Sequence, residues 1–336
     1  MSKTVASLSG TDFYINGKPT YPGRTWQGHR IEGMLMNARF VQATFDDENP
    51  DTVGNWALPD GTPYDADRNT QQFCDFLPIC RDHGMTGFTI NLQGGSPRGY
   101  GRIQTWINSA FRPDGSLKDQ YMQRVGKVID TADRLGMVVI LGLFYFGQDE
   151  NMEGEDAIKH GVDNAVDWLV ARGDRNVLVE IANESDINDC GFGGNMMYEH
   201  DILVGKDRGG ELIERVQQRS EGKLDTPAGR LLCTTSFRGD GRLTPPVAKV
   251  SDFILLHGNG IDDPMGLVPM IEDARTCEGY RGQPICINED DHFNFDADVN
   301  HMIVAVKNGV GWGYYDHRPE GDPFEAGFQD MPASWA

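Results

Sequence analysis

The chain has 336 residues, 39% of them hydrophobic and 24% charged, a balance that excludes global disorder and allows one large domain or two small ones. Acidic residues outnumber basic ones 51 to 30, for a formal net charge of −21. That charge repels phosphate backbones and anionic lipid surfaces, so neither a nucleic acid nor a membrane is an expected partner.

In chain order, 12-DFYINGKP reads as part of a β-hairpin within residues 1–18. The next segment, 19-PTYPGRT, is taken as the first barrel strand in preference to 38-ARFVQATF, which makes 26–69 a long inserted first loop. A helical stretch at 70–83 leads into 87-GFTINLQ, the first of seven apolar runs of strand length. The loop 94-GGSPRGYGR lacks phosphate-loop spacing and reads as a rim. Residues 116–135 form a helix, capped by Ser116 and stopped by Gly136, ahead of 137-MVVILGLFYF. Helix 155–172 places Ile158, Val162, Ala165, Val166 and Leu169 on one face before 176-NVLVEIAN. Helices at 210–218, 264–275 and 297–307, and a single turn at 243–250, alternate with 231-LLCTTSF, 252-DFILLHGN, 284-PICINED and 310-VGWGYYD. Residues 317–336 form an irregular tail, too rich in Pro and Gly for a full eighth helix.

Alternating strands and helices imply parallel β-structure, and seven runs plus a first strand make eight. The expected fold is one (β/α)8 TIM barrel spanning 1–336. An open doubly wound sheet would need Gly-rich nucleotide turns after early strands, and none is present there. The start, MSKTVASLSG, lacks the apolar core of a signal peptide, and no run approaches membrane length. The expectation is a cytoplasmic protein, or a secreted one with its signal removed. Cys74, Cys80, Cys190, Cys233, Cys277 and Cys286 include no CxxC pair and read as reduced thiols.

In such a barrel the chemistry sits at the C-terminal ends of the strands. The residues there are Arg24 and Trp26, Asn91 and Gln93, Tyr145 and Gln148, Asn183 and Glu184, Ser236, His257 and Asn259, Glu289 and Asp290, Trp312 and Asp316. Amides, aromatics and carboxylates at the ends of apolar strands suit a sugar-sized polar pocket. Arg24, Asn91 and Gln148 are candidate hydroxyl binders, and Trp312 a candidate stacking platform, with Trp26, Tyr145 and Phe146 in weaker support. Trp106 and Trp168 read as packing residues. Glu184 and Glu289 end the fourth and seventh strands, which lie across the barrel mouth. Two carboxyl groups about 5–5.5 Å apart make a retaining pair, one giving a proton to the leaving oxygen and the other attacking the anomeric carbon. Glu180 shares a strand face with Glu184, deeper in the barrel, and needs a partner such as Arg39 or a water.

These residues resemble those of the clan A glycoside hydrolases, retaining barrels that include cellulases, mannanases and β-galactosidases. Asn183-Glu184 matches the pair ending strand four, which implies Glu184 as acid/base and Asn183 on the sugar 2-hydroxyl. Glu289 matches the strand-seven nucleophile. His257 fits a strand-six residue that supports the nucleophile, and Trp312 the strand-eight aromatic that floors the site. FYINGKPTYPGRTW resembles the approach to strand one. The tail and 26–69 depart from the clan pattern. The resemblance implies hydrolysis of a neutral β-linked glycoside or oligosaccharide with no cofactor and no metal. Two other readings stand beside it. One is a non-catalytic carbohydrate-binding barrel. The other is a metal-dependent hydrolase or isomerase built on Glu289, Asp290, Asp291 and His292 within 288-NEDDHFNFDAD.

Overall fold

The computed structural model describes residues 2–57, 61–95, 104–190, 196–206, 208–292 and 294–315. Asp316, the 317–336 tail and all but the first two residues of the 94–102 loop lie outside them. The chain opens with three antiparallel strands, β1 (Ala6–Ser9), β2 (Asp12–Ile15) and β3 (Lys18–Pro19). Asn16 and Gly17 join β2 to β3 with φ of 53° and 73°, the left-handed pair of a two-residue hairpin turn. A second small hairpin follows, β4 (Thr25–Trp26) and β5 (His29–Arg30). Then come β6 (Asn37–Ala38), α1 (Ala66–Asp82), β7 (Gly87–Asn91), α2 (Asp119–Leu135), β8 (Val138–Phe144), α3 (Glu155–Arg172), β9 (Val177–Ala182) and α4 (Glu211–Ser220). The chain continues through β10 (Leu232–Thr234), α5 (Pro245–Val250), β11 (Ile254–His257), α6 (Leu267–Thr276), β12 (Ile285–Glu289), α7 (His301–Lys307) and β13 (Gly313–Tyr314).

Strands β6 to β13 are the eight parallel strands. Ladders run through β10-β9-β8-β7, through β11-β12 and through β13-β6. Single bridges, Arg39 to Thr89 and Cys286 to Gly311, join β6 to β7 and β12 to β13. Between β10 and β11 no ladder forms among the described residues. Asp252 spans that junction, its N–H donating to the Cys233 carbonyl at 3.0 Å and its carboxylate accepting from the Cys233 N–H at 2.9 Å.

The first barrel strand is β6, which corrects the choice of 19-PTYPGRT. The turns at Asn16-Gly17 and Gln27-Gly28, with all four residues at positive φ, fold the segment back on itself twice. The first stretch apolar enough for burial is 34–41, where only Met36 is not fully buried. The supposed loop 26–69 is therefore a hairpin, a barrel strand, two 3-10 turns and the start of α1. A second correction concerns α2, which begins at Asp119. Leu117 bridges to Phe111, so Ser116 lies in a short β contact and caps nothing. Gly136 does end the helix, at φ 70°.

Each central strand is buried on both faces, as the near-continuous apolar runs require. Along β8, Val139, Leu141 and Leu143 pack in the large core with the helices. Val138 and Ile140 join Leu178, Leu232, Leu255 and Cys286 in a second core, which Ala6 and Phe13 of the N-terminal hairpin share. Phe13 meets Phe253 edge-on at 6.1 Å. Above this apolar floor the interior turns polar. Gly142 permits it, because a Cβ there would come within 2.3 Å of Asn91 Oδ1. No described helix is long and apolar enough to cross a membrane.

Candidate active site

Both glutamates sit where the backbone departs from regular strand. Glu184 follows β9 with φ 51°, a left-handed conformation that side chains other than glycine rarely take. Its N–H donates to Ser236 Oγ at 3.0 Å, and the next N–H, of Ser185, donates to the Ser236 carbonyl at 2.9 Å. Glu289 ends β12 just past a register shift: Leu256 faces Ile287, but His257 faces Glu289, leaving Asn288 as an extra residue. Ile285 and Ile287 pack in the large core with the helices. Strict alternation would send Glu289 the same way, and the bulge turns it to the side of His257 instead.

One oxygen of each glutamate and one nitrogen of His257 all lie within 4.8 Å of one another. His257 Nδ1 is 3.0 Å from Glu184 Oε1 and 3.6 Å from Glu289 Oε2. Arg39 reaches into the same layer from just beyond β6. Its Nε lies 2.7 Å from Glu289 Oε2, its Nη1 3.4 Å from Glu180 Oε2, and its Nη2 donates to Asn183 Oδ1. Asn259 Nδ2 donates to Glu289 Oε1 at 2.9 Å.

These surroundings split the two carboxyl groups. Glu184 is only 8% exposed, and burial pushes its pKa up to about 7 against the opposing pull of Arg39. Glu289 accepts from Asn259 at one oxygen and is ion-paired with the Arg39 guanidinium at the other, and a cation that close favours the carboxylate anion. Burial opposes the charge on Arg39, but Glu180 and Glu289 outweigh it and raise the guanidinium pKa. His257 is pushed down by burial despite the pull of Glu289, which favours the neutral ring.

The remaining candidates divide. Asn183 meets Arg39 through its Oδ1, while its Nδ2 is buried without a partner. Asn91 is buried with both side-chain polar atoms unpaired. Tyr145 is buried beside the glutamates; desolvation and then the charge of Glu289 hold its phenol well above the usual range. Trp312 is 2% exposed, stacks with Tyr314 at 6.0 Å, and donates from Nε1 to Asp290 Oδ2 at 2.9 Å. Asp290 is thus a buried acceptor behind the aromatic, and Asn259 a support for Glu289. Trp168 lies under Arg172 at 4.9 Å and Trp106 against Trp56 at 5.5 Å, both packing as expected.

Four candidates leave the site. Gln93 donates to Ser109 Oγ at 3.0 Å and accepts from the Tyr145 N–H at 3.3 Å. Gln148 accepts from the Asn108 N–H and donates to the Trp106 carbonyl, both at 2.9 Å. Both amides are spent on holding rim loops. Arg24 and Trp26 belong to the β4–β5 hairpin. Just before it, Tyr21 Oη bonds the Gly84 carbonyl at 2.8 Å and Thr86 Oγ1 at 2.9 Å in the turn entering β7, so the hairpin sits at the opposite end of the strands. Arg39 is the residue that strand-end reasoning missed as a site member, weighing it only as a partner for Glu180. Its signal is a lone cation inside the apolar run 34-MLMNARFV.

No protein-family model and no curated protein matches the chain. Solved structures do. A putative glycoside hydrolase from Bacteroides vulgatus superposes with a TM-score of 0.56 at 12% identity, over 99% of this chain and 59% of its own. The β-1,4-D-mannanase of Cryptopygus antarcticus gives 0.55 at 12% identity, over 96% and 91%. The endo-1,4-β-mannanase of Rhizomucor miehei gives 0.56 at 12% identity, over 93% and 90%. The chain shares its fold with these solved structures. The chain spans just under three fifths of the Bacteroides protein but nine tenths of the two mannanases.

Proposed function

We propose that the chain is a retaining glycoside hydrolase acting on a neutral β-linked glycoside, with Glu184 as acid/base and Glu289 as nucleophile. The observation that carries this reading is the asymmetry of the close pair. A carboxyl group raised to about 7 by burial stands within 4.8 Å of one that is ion-paired with Arg39 and accepts from Asn259. That proximity fits the retaining geometry better than the wider inverting one. A Glu289 oxygen attacks the anomeric carbon while the glycosidic C–O bond breaks and Glu184 protonates the departing oxygen. Esterification removes the Glu289 charge, so Arg39 acts more strongly on Glu184 and favours its ionised form. Glu184 then takes a proton from water, the water oxygen attacks the anomeric carbon, and Glu289 leaves as carboxylate.

The neutral substrate follows from the charges. The Arg39 guanidinium is already engaged by Glu180, Asn183 and Glu289, so among the described residues a uronate would meet two glutamates with no cation to spare. Unpaired amide groups of Asn183 and Asn91 suit hydroxyls. The mannanase neighbours and a broad-specificity endoglucanase neighbour favour a β-1,4-mannan or a glucan as first substrate to try. The test is incubation with 2-deoxy-2-fluoro-β-mannosides and glucosides bearing a good leaving group, followed by intact mass and peptide mapping. An adduct on Glu289 is expected. An adduct on another residue, or turnover in Glu289→Ala equal to wild type, refutes the assignment.

A further inference from the structure

Behind the carboxylate pair lies a second cluster that the hydrolytic reading does not use. Asp290, His292 and His301 each place one ligand atom within 4.8 Å of the other two. His292 Nδ1 is 2.7 Å from Asp290 Oδ1, and the His292 and His301 rings stack with centroids 3.9 Å apart. His301, the first residue of α7, is 1% exposed. Its Nε2 lies 2.6 Å from the Ile261 carbonyl, which can only accept, so Nε2 carries the hydrogen. Nδ1 is then a bare lone pair, buried and without a hydrogen-bond partner, on a ring stacked on that of His292.

We infer that Asp290, His292 and His301 form a binding site for a divalent transition metal of the zinc type, separate from the glutamate pair. Two imidazoles and a carboxylate are a zinc donor set that leaves a fourth position for water. The outer contacts are those that orient metal ligands: His301 Nε2–H on a backbone carbonyl, and Asp290 Oδ2 held by Trp312 Nε1 at 2.9 Å. Ligand atoms around tetrahedral zinc stand roughly 3.3 Å apart. The ion would displace the Asp290–His292 hydrogen bond, opening that 2.7 Å contact slightly, and the His292 ring would tilt off His301. The other candidate group, Glu184, His257 and Glu289, suits a cation less well, because Arg39 already sits 2.7 Å from Glu289. A metal here would tie the segment after Glu289 to the start of α7 and, through Asp290, steady Trp312. It touches no reacting atom, and the inference does not depend on the hydrolase reading.

The test uses full-length, tag-free protein stripped with a chelator, titrated with ZnCl2 by calorimetry and assayed for bound metal after dialysis. Wild type and His257→Gln are expected to hold one zinc per chain. His301→Gln and His292→Ala are expected to bind at least tenfold more weakly. Zinc should raise the melting temperature of wild type and leave those two variants unmoved. Circular dichroism checks folding, and His292→Ala, on a partly exposed loop residue, decides the matter if the buried His301 variant misfolds. Absence of stoichiometric zinc in wild type overturns the inference. So does binding that survives in His292→Ala, or that is lost only in His257→Gln, which would place the ion between the glutamates.

Discussion

The perturbation that most directly probes the site is Glu184→Gln, read first as a stability measurement that needs no substrate. Burial lifts the Glu184 carboxyl from its ordinary 4.5 to about 7. In the unfolded chain the group ionises near 4.3–4.5. The folded state therefore binds a proton that the unfolded state has lost across roughly pH 4.5 to 7. The sign follows: the stability tied to this proton is fully present below about pH 4.5 and is lost as pH rises through about 7. At about 1.4 kcal/mol per pH unit, the whole change is about 3 kcal/mol. Glutamine keeps the shape and never ionises. Urea unfolding of both proteins between pH 4.5 and 8.5, followed by tryptophan fluorescence at fixed salt, lets every other titrating group cancel in the difference. The variant should gain on wild type steadily with pH, by about 3 kcal/mol over the range, with the difference levelling off above pH 7. Parallel stability curves would refute the burial argument. The kinetic counterpart is a wild-type kcat/KM that falls above about pH 7 on substrates with poor leaving groups. That alkaline limb should vanish in Glu184→Gln assayed with an activated aryl glycoside, whose departure needs no proton.

Three further outcomes follow from the same contacts. Arg39→Met strands Glu180 and Glu289, both almost fully buried, and should cost about 3–5 kcal/mol in urea unfolding, with part recovered by adding Glu180→Gln. Gly142→Ala pushes a methyl to 2.3 Å from Asn91 Oδ1, so it should lose about 1–3 kcal/mol in the same assay, and an unchanged midpoint would mean that Asn91 turns aside freely. Trp26→Ala and Arg24→Ala, on the far hairpin, should leave kcat/KM within about twofold of wild type; a large loss from either would return that hairpin to the mouth.

The strand–helix alternation was legible because burial leaves a composition signature. The run 137-MVVILGLFYF is buried on both faces from Val138 to Phe144, and 176-NVLVEIAN from Val177 to Ala182, so neither carries a polar face to blur it. The first strand was not legible for the same reason in reverse. β6 has two residues, one of them an asparagine, and it sits between two self-pairing hairpins and two 3-10 turns. Polar residues at strand ends were legible only as a class. Asn183 and Gln93 look alike in sequence, yet one faces the site while the other ties Ser109 to Tyr145, because an amide bonds a loop as well as it bonds a sugar. Arg39 was weighed only as a partner for Glu180, since its three contacts come from β9 and β12, far away in the chain.

The orientation of the two glutamates is the part that no periodicity could supply. Strand alternation places Glu289 on the side of Ile285 and Ile287, in the layer between barrel and helices, where an ionised carboxylate would be stranded. The extra residue at Asn288 reverses that, and it does so at the last step of β12, where only one rung of the ladder with β11 follows. Glu184 reaches the same space by a different route, a left-handed residue that costs on the order of 1–3 kcal/mol for a side chain with a Cβ. Ser236 offsets part of that cost by accepting the Glu184 N–H through its hydroxyl and the Ser185 N–H through its carbonyl. Two unrelated irregularities on strands across the barrel therefore bring one oxygen of each glutamate within 4.8 Å of the other. Neither irregularity is needed for packing alone, so the strain fits the proposed role of the pair.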